Sequence, residues 1–98
     1  MNKPPINQII QGDCIIELRK LQSDSVDMVF IDPPYNLNKF YSEYKDNRKV
    51  DEYISWCNKW LSECIRVLKP SGSLFVINIP KWLIYQAMHL NKIAYFNH

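Results

Sequence analysis

The stretch Val26-Asp27-Met28-Val29-Phe30-Ile31 runs directly into Asp32-Pro33-Pro34-Tyr35-Asn36. A nearly continuous apolar run with β-branched residues, halted by two prolines, is the pattern of a strand buried on both faces of a parallel sheet. Ligands of open α/β sheets sit at the carboxyl ends of strands, so the residues after Ile31 occupy the place where a site belongs. Successive prolines fix the backbone and remove two N–H donors, which leaves carbonyl oxygens available as acceptors. A carboxylate, rigid acceptors and an aromatic ring together suit a planar, amine-bearing group, the acceptors orienting the amine and the ring stacking on the heterocycle. The plainer reading of the same residues is a strand-ending turn, and the position after a buried run favours the functional one.

Working outward, residues 7–11 read as a short strand, and Gly12-Asp13 as a turn whose Asp13 caps a helix over Cys14–Leu21. Ile15, Leu18 and Leu21 give that helix one apolar stripe. Downstream, Tyr35–Lys49 is polar and aromatic without a period and reads as a long loop, a feature that in compact domains is commonly functional. From Asp51 a helical period returns, with Tyr53, Ile54, Cys57, Trp60, Leu61, Cys64, Ile65 and Leu68 on one broad face. Lys69-Pro70-Ser71-Gly72 reads as the end of that helix, Ser73–Ile79 as a second buried strand broken by Pro80, and Lys81–Leu90 as a third helix. Ile93–His98 resembles the opening of a further strand. The order β-α-β-loop-α-β-α implies an α/β fold with a parallel sheet covered on both faces, about half of a doubly wound domain.

Composition narrows the class. The 98 residues are 47% hydrophobic and 22% charged, which excludes a disordered chain and makes one small domain or part of one. Twelve basic against ten acidic residues give +2, too mild a balance to identify a nucleic-acid binder by charge alone. The apolar stretches are too short for a membrane span, and no basic-then-apolar leader opens the chain, which together point to a cytoplasmic protein. Cys14, Cys57 and Cys64 form no C-x-x-C pair and sit with only His89 and His98 as histidines, so no metal site is expected. Cys57 and Cys64, seven apart, fall on one helical face and read as core.

The motif Asp32-Pro33-Pro34-Tyr35 resembles that of the amino-methylating DNA methyltransferases, (Asp/Asn/Ser)-Pro-Pro-(Tyr/Phe). Gly12-Asp13-Cys14, Ser25-Val26-Asp27, Asp32-Pro33-Pro34-Tyr35-Asn36-Leu37 and Val67-Leu68-Lys69-Pro70-Ser71-Gly72-Ser73-Leu74 also stand in the order and spacing of the family's β-type members. In that type the catalytic half precedes the cofactor half. The resemblance implies a partial doubly wound, Rossmann-like fold that uses S-adenosylmethionine. It also implies double-stranded DNA with a flipped target base as substrate, in the setting of a restriction-modification system. Asp32 and the Pro33 carbonyl would accept hydrogen bonds from the target amino group, Tyr35 would stack on the base, and Pro34 would shape the pocket wall. Asp in the first motif position favours adenine N6 over cytosine N4 without excluding the latter. Asp13 and Asp32 are the candidate cofactor contacts, although a helix cap accounts for Asp13 equally well.

Within the loop, Asn36, Lys39, Tyr41, Lys45, Arg48 and Lys49 are candidate DNA contacts, since basic residues with interleaved aromatics suit phosphates and unstacked bases. A solvated loop is the alternative, its local charge being only +2. Trp56 and Trp60 read as packing. The chain departs from the family in one respect. Gly12 and Gly72 are its only glycines, so the family's glycine-rich Phe-x-Gly-x-Gly loop and its target-recognition region are not among these residues. Residues 1–98 therefore read as an N-terminal catalytic portion, inactive alone, with exposed hydrophobic surface. The C-terminal half would lie elsewhere, on another chain if encoded separately. A non-catalytic half and an RNA or protein amino-methyltransferase fragment are the competing readings.

Overall fold

A computed structural model describes residues 3–37, 39–41, 44–46 and 48–94. Along the chain these form α1 (Cys14–Arg19), β1 (Val26–Ile31), β2 (Lys39–Tyr41), β3 (Tyr44–Asp46), α2 (Val50–Val67), β4 (Leu68–Val76) and α3 (Pro80–Ile93). Strands β1 and β4 pair in parallel, and β2 and β3 form a separate antiparallel hairpin. Parallel neighbours need a long crossover, and α2 provides it.

Helix α2 organises the core. Tyr53, Cys57, Trp60, Leu61 and Cys64 recur at helical spacing along one face and are all buried. Trp82 of α3 joins this cluster, and Ile15 and Leu18 of α1, Val29 and Ile31 of β1, and Leu74 and Val76 of β4 pack around it. Pro80 stands at the first position of α3, where its missing N–H is no loss, so it opens the helix as well as ending the strand. Burial pushes the Cys57 thiol up from its ordinary range and the Cys64 thiol up to about 12, in keeping with their place as core residues.

Beside the packing of Ile15 and Leu18, one polar side chain ties α2 to the end of α1 and the residues after it. The Arg66 guanidinium donates to the Leu18 carbonyl at 2.8 Å, the Leu21 carbonyl at 2.9 Å and Ser23 Oγ at 3.0 Å, with Glu63 at 3.1 Å from its Nε. Carbonyls at a helix C-terminus lack intrahelical partners, and a planar fork of donors can satisfy several together.

Several expectations need correction. Residues 7–11 form no strand: Asn7 takes a left-handed φ of 55°, Ile9 is fully exposed, and the segment gains no ladder partner. Helix α1 ends at Arg19, two residues before Leu21. Among the described residues, the sheet is covered on one face only. Val29, Ile31, Leu74 and Val76 meet the helices, whereas Met28, Phe30, Phe75 and Ile77 are 44–59% exposed. The expected exposed hydrophobic surface is therefore present, and it lies on the sheet. The expected loop over residues 35–49 contains the β2–β3 hairpin, with Lys39 opposite Asp46, Phe40 opposite Lys45 and Tyr41 opposite Tyr44.

Nor does the segment after α2 act as a turn. Strand β4 begins at Leu68, opposite Val26, and the register then jumps so that Met28 faces Ser73. The extra residues form a bulge in which a Cβ on Gly72 would meet the Asp27 carbonyl at 2.9 Å and Leu68 Cδ2 at 2.8 Å. Glycine is required there for close approach. The end of the strand expected from Ile93 lies outside the described residues, and α3 itself runs through Ile93. None of the helices among the described residues is long and apolar enough to cross a membrane.

Two outcomes test this architecture. A thiol reagent at pH 8 should modify only the exposed Cys14 in the folded chain and all three cysteines in denaturant; three fast equivalents in native buffer would show that the core is open. Arg66→Lys keeps the charge but loses the fork, and should lower stability in urea unfolding by about 1–2 kcal/mol. An unchanged midpoint would mean that the carbonyl contacts contribute nothing.

Candidate active site

The turn leaving β1 brings the expected carboxylate and ring together. Tyr35 Oη donates to Asp32 Oδ1 at 2.8 Å, with Asp32 exposed, Tyr35 half-buried and Pro33 buried between strand and turn. Consecutive prolines leave this segment rich in acceptors and short of donors. The donors come from two core aromatics. Tyr53 of α2 donates its hydroxyl to the Pro34 carbonyl, and Trp82 of α3 donates Nε1–H to the Tyr35 carbonyl at 2.6 Å. Asn78 Nδ2 donates in turn to Tyr53 Oη at 3.1 Å, and Asn78 Oδ1 accepts from the Ile79 N–H at 2.8 Å. No described hydrogen bond falls on the Pro33 carbonyl, the acceptor expected to face the amine.

Asn36 closes the far end of the turn. It takes a left-handed φ of 57°, a conformation asparagine tolerates better than most residues. Its amide donates to the Arg48 carbonyl at 2.8 Å and accepts from the Arg48 N–H at 2.7 Å. The ends of the hairpin segment are thereby joined beside Tyr35. The Arg48 guanidinium lies 4.7 Å from the Trp56 ring centroid, a cation–π distance, so Trp56 does more than pack. Lys49 is exposed at the start of α2. Lys39, Tyr41 and Lys45 lie on the paired strands of the hairpin, Lys39 opposite Asp46, Tyr41 opposite Tyr44 and Lys45 opposite Phe40.

Asp13 precedes α1. Its Oδ1 accepts from the N–H groups of Ile15 at 2.9 Å and Ile16 at 3.1 Å, which makes it the cap of that helix. The cap occupies one carboxylate oxygen, and no described hydrogen bond falls on the other. Among the described residues no three His, Cys, Asp or Glu side chains converge as a metal site would require. His89 Nε2 lies 2.9 Å from Ser62 Oγ, a link between α3 and α2.

Tyr53, Asn78 and Trp82 were absent from the sequence-based site. Periodicity places Tyr53 and Trp82 on apolar stripes and registers only that they are buried. The available signal was chemical: a donor-poor turn beside two buried residues, Tyr and Trp, whose polar tips need partners.

The family model described as DNA methylase matches residues 26–97, which span β1, the motif turn and all of α2, β4 and α3. The chain belongs to the DNA methylase family. Its α/β architecture is accordingly a part of the Rossmann-like methyltransferase fold, with one helix layer in place. It is 44% identical over 88 residues to the type II methyltransferase M.BamHI of Bacillus amyloliquefaciens, covering 89% of this chain and 21% of that protein. It is 36% identical over 92 residues to the type II methyltransferase M.HpaI of Haemophilus parainfluenzae, covering 92% of this chain and 29% of that protein. To the DNA adenine methyltransferase YhdJ of Escherichia coli (strain K12) it is 43% identical over 70 residues, 71% of this chain and 24% of that protein. The chain thus spans 21–29% of the length of these curated relatives.

Asn36 offers a direct check of the loop closure. Asn36→Gly keeps the left-handed backbone and loses the amide bonds, while Asn36→Ala loses both. Both variants should be destabilised in urea, the alanine by about 1 kcal/mol more than the glycine. Equal midpoints for all three proteins would show that the closure carries no energy.

Proposed function

We infer that residues 1–98 are the N-terminal, catalytic-motif portion of a DNA methyltransferase acting on adenine N6 in double-stranded DNA. The observation that carries this reading is the Asp32–Tyr35 pair at the carboxyl end of β1, in a chain of the DNA methylase family. S-adenosylmethionine, when bound, supplies an electrophilic methyl group on sulfur. The residues suit it in one respect: the second carboxylate oxygen of Asp13 is left over from the cap and can accept from an adenine amino group.

The chain's own residues act on the target base. Tyr35 presents its ring for stacking while its hydroxyl holds Asp32 Oδ1, which leaves Oδ2 for one N–H of the target amine. The Pro33 carbonyl accepts the other. Both acceptors draw the amine protons aside and make the nitrogen lone pair available for in-line attack. On taking up the methyl group the nitrogen would shed one proton, and the Asp32 carboxylate is the group that would accept it. No enzyme nucleophile takes part.

DNA contact falls to the hairpin and its flanks. Lys39, Tyr41, Lys45 and Lys49 supply charge and a ring for phosphates and unstacked bases. Asn36 and Arg48 contribute by holding the hairpin against the turn. The bare sheet face of Met28, Phe30 and Phe75 supports a further portion that covers it, on the same or another polypeptide, and carries the glycine-rich cofactor loop and the recognition region.

A chimera tests the reading. This chain replaces the matching segment of YhdJ, and tritiated methyl transfer to DNA is followed by nucleoside analysis. Transfer yielding N6-methyladenine is expected, with Asp32→Ala lower in rate by about 10²–10³. N4-methylcytosine as the product would move the reading to cytosine. Transfer unaffected by Asp32→Ala would remove Asp32 from the mechanism.

A further inference from the structure

The acceptor-rich turn is held from behind by groups that never meet the substrate. Tyr53 and Trp82 are 0% and 2% exposed, their rings lie 4.6 Å apart between centroids, and each donates to a different carbonyl of the motif. Tyr53 Oη also receives Asn78 Nδ2, and Asn78 is in turn fixed by the Ile79 N–H at the entry to α3. The chain of donors runs from Ile79 N–H to Asn78, from Asn78 to Tyr53, and from Tyr53 to the Pro34 carbonyl. With the carbonyls of Pro34 and Tyr35 committed, the peptide planes on either side of Tyr35 have little freedom to rotate, and the proline ring fixes φ of Pro34 on the side of the Pro33 carbonyl.

We propose that Tyr53 and Trp82, with Asn78 setting the Tyr53 hydroxyl, are positioning residues that clamp the motif by its backbone and so fix where the Pro33 carbonyl and Asp32 present themselves to the target amine. The proposal rests on the methyltransferase reading. Simple packing would leave the two polar tips without a role. Here both are directed to consecutive carbonyls of the residues that carry the chemistry. Hydrogen-bond donors on rigid helices are also a more accurate support than loop contacts, and small displacements of catalytic groups carry large rate penalties.

The test uses the YhdJ chimera. Tyr53→Phe removes the hydroxyl and keeps the ring, and should lower kcat about 10- to 100-fold with KM for DNA within about twofold. Acting through the turn, the substitution should have a smaller effect in an Asp32→Ala background, since one of the two acceptors it positions is gone. Asn78→Ala leaves both rings in place and should give a smaller, several-fold loss in kcat, which decides the matter if Tyr53→Phe fails to fold. Unchanged kcat in the folded variant, or an equal fold-loss with and without Asp32, would overturn the proposal while leaving the methyltransferase reading intact. A folded wild-type chimera without any transfer would instead overturn that reading.

Discussion

Two consecutive prolines leave the segment after β1 with carbonyls and few N–H groups, and much of the structure answers that shortage. A buried acceptor without a donor is destabilising by roughly 1–3 kcal/mol, so a turn of this composition settles only where donors are brought to it. They arrive from two helices distant in sequence, on Tyr53 and Trp82. The same two rings sit in the hydrophobic cluster that packs α2 and α3 against the sheet. Core formation and site formation are therefore one event. Burial of the aromatic faces drives the helices together, and the polar tips then find the carbonyls in reach.

That coupling explains what the sequence could and could not disclose. Strand β1 was legible because its apolar run ends abruptly at Pro33, and α2 because its stripe from Tyr53 to Cys64 is long and regular. The motif turn followed from both. Residues 7–11 form no strand: two adjacent isoleucines suit one but give no information about a neighbour to pair with. The hairpin was missed for the opposite reason: three-residue strands without apolar alternation leave no periodic trace, and their pairing is a tertiary fact. The Pro70-Ser71-Gly72 stretch contains the residues of a helix stop, yet the chain uses them as a bulge because Leu68 already pairs with Val26. Periodicity did not reveal the supporting donors because a stripe looks identical whether a Tyr hydroxyl meets water or a carbonyl.

The two faces of the sheet divide the labour. One is sealed by helices and positions the motif from behind. The other presents Met28, Phe30, Phe75 and Ile77 to solvent, a contiguous apolar strip at the register Phe30–Phe75. In a complete doubly wound domain both faces of a parallel sheet are enclosed, so this strip is the face on which the described residues depart from that arrangement.

Helix α2 passes into β4 with no intervening residue, Val67 being helical and Leu68 already laddered to Val26. At its other end it holds Tyr53 against the motif. The distance between these points is about 20 Å at the usual rise per residue. The helix is thus a rigid beam fixed at the sheet and loaded at the site. An angular error of about 3° at the fixed end would swing the hydroxyl by about 1 Å, enough to separate donor from acceptor. Mechanical tolerance at the motif turn is therefore set far from it, at the junction of helix and strand.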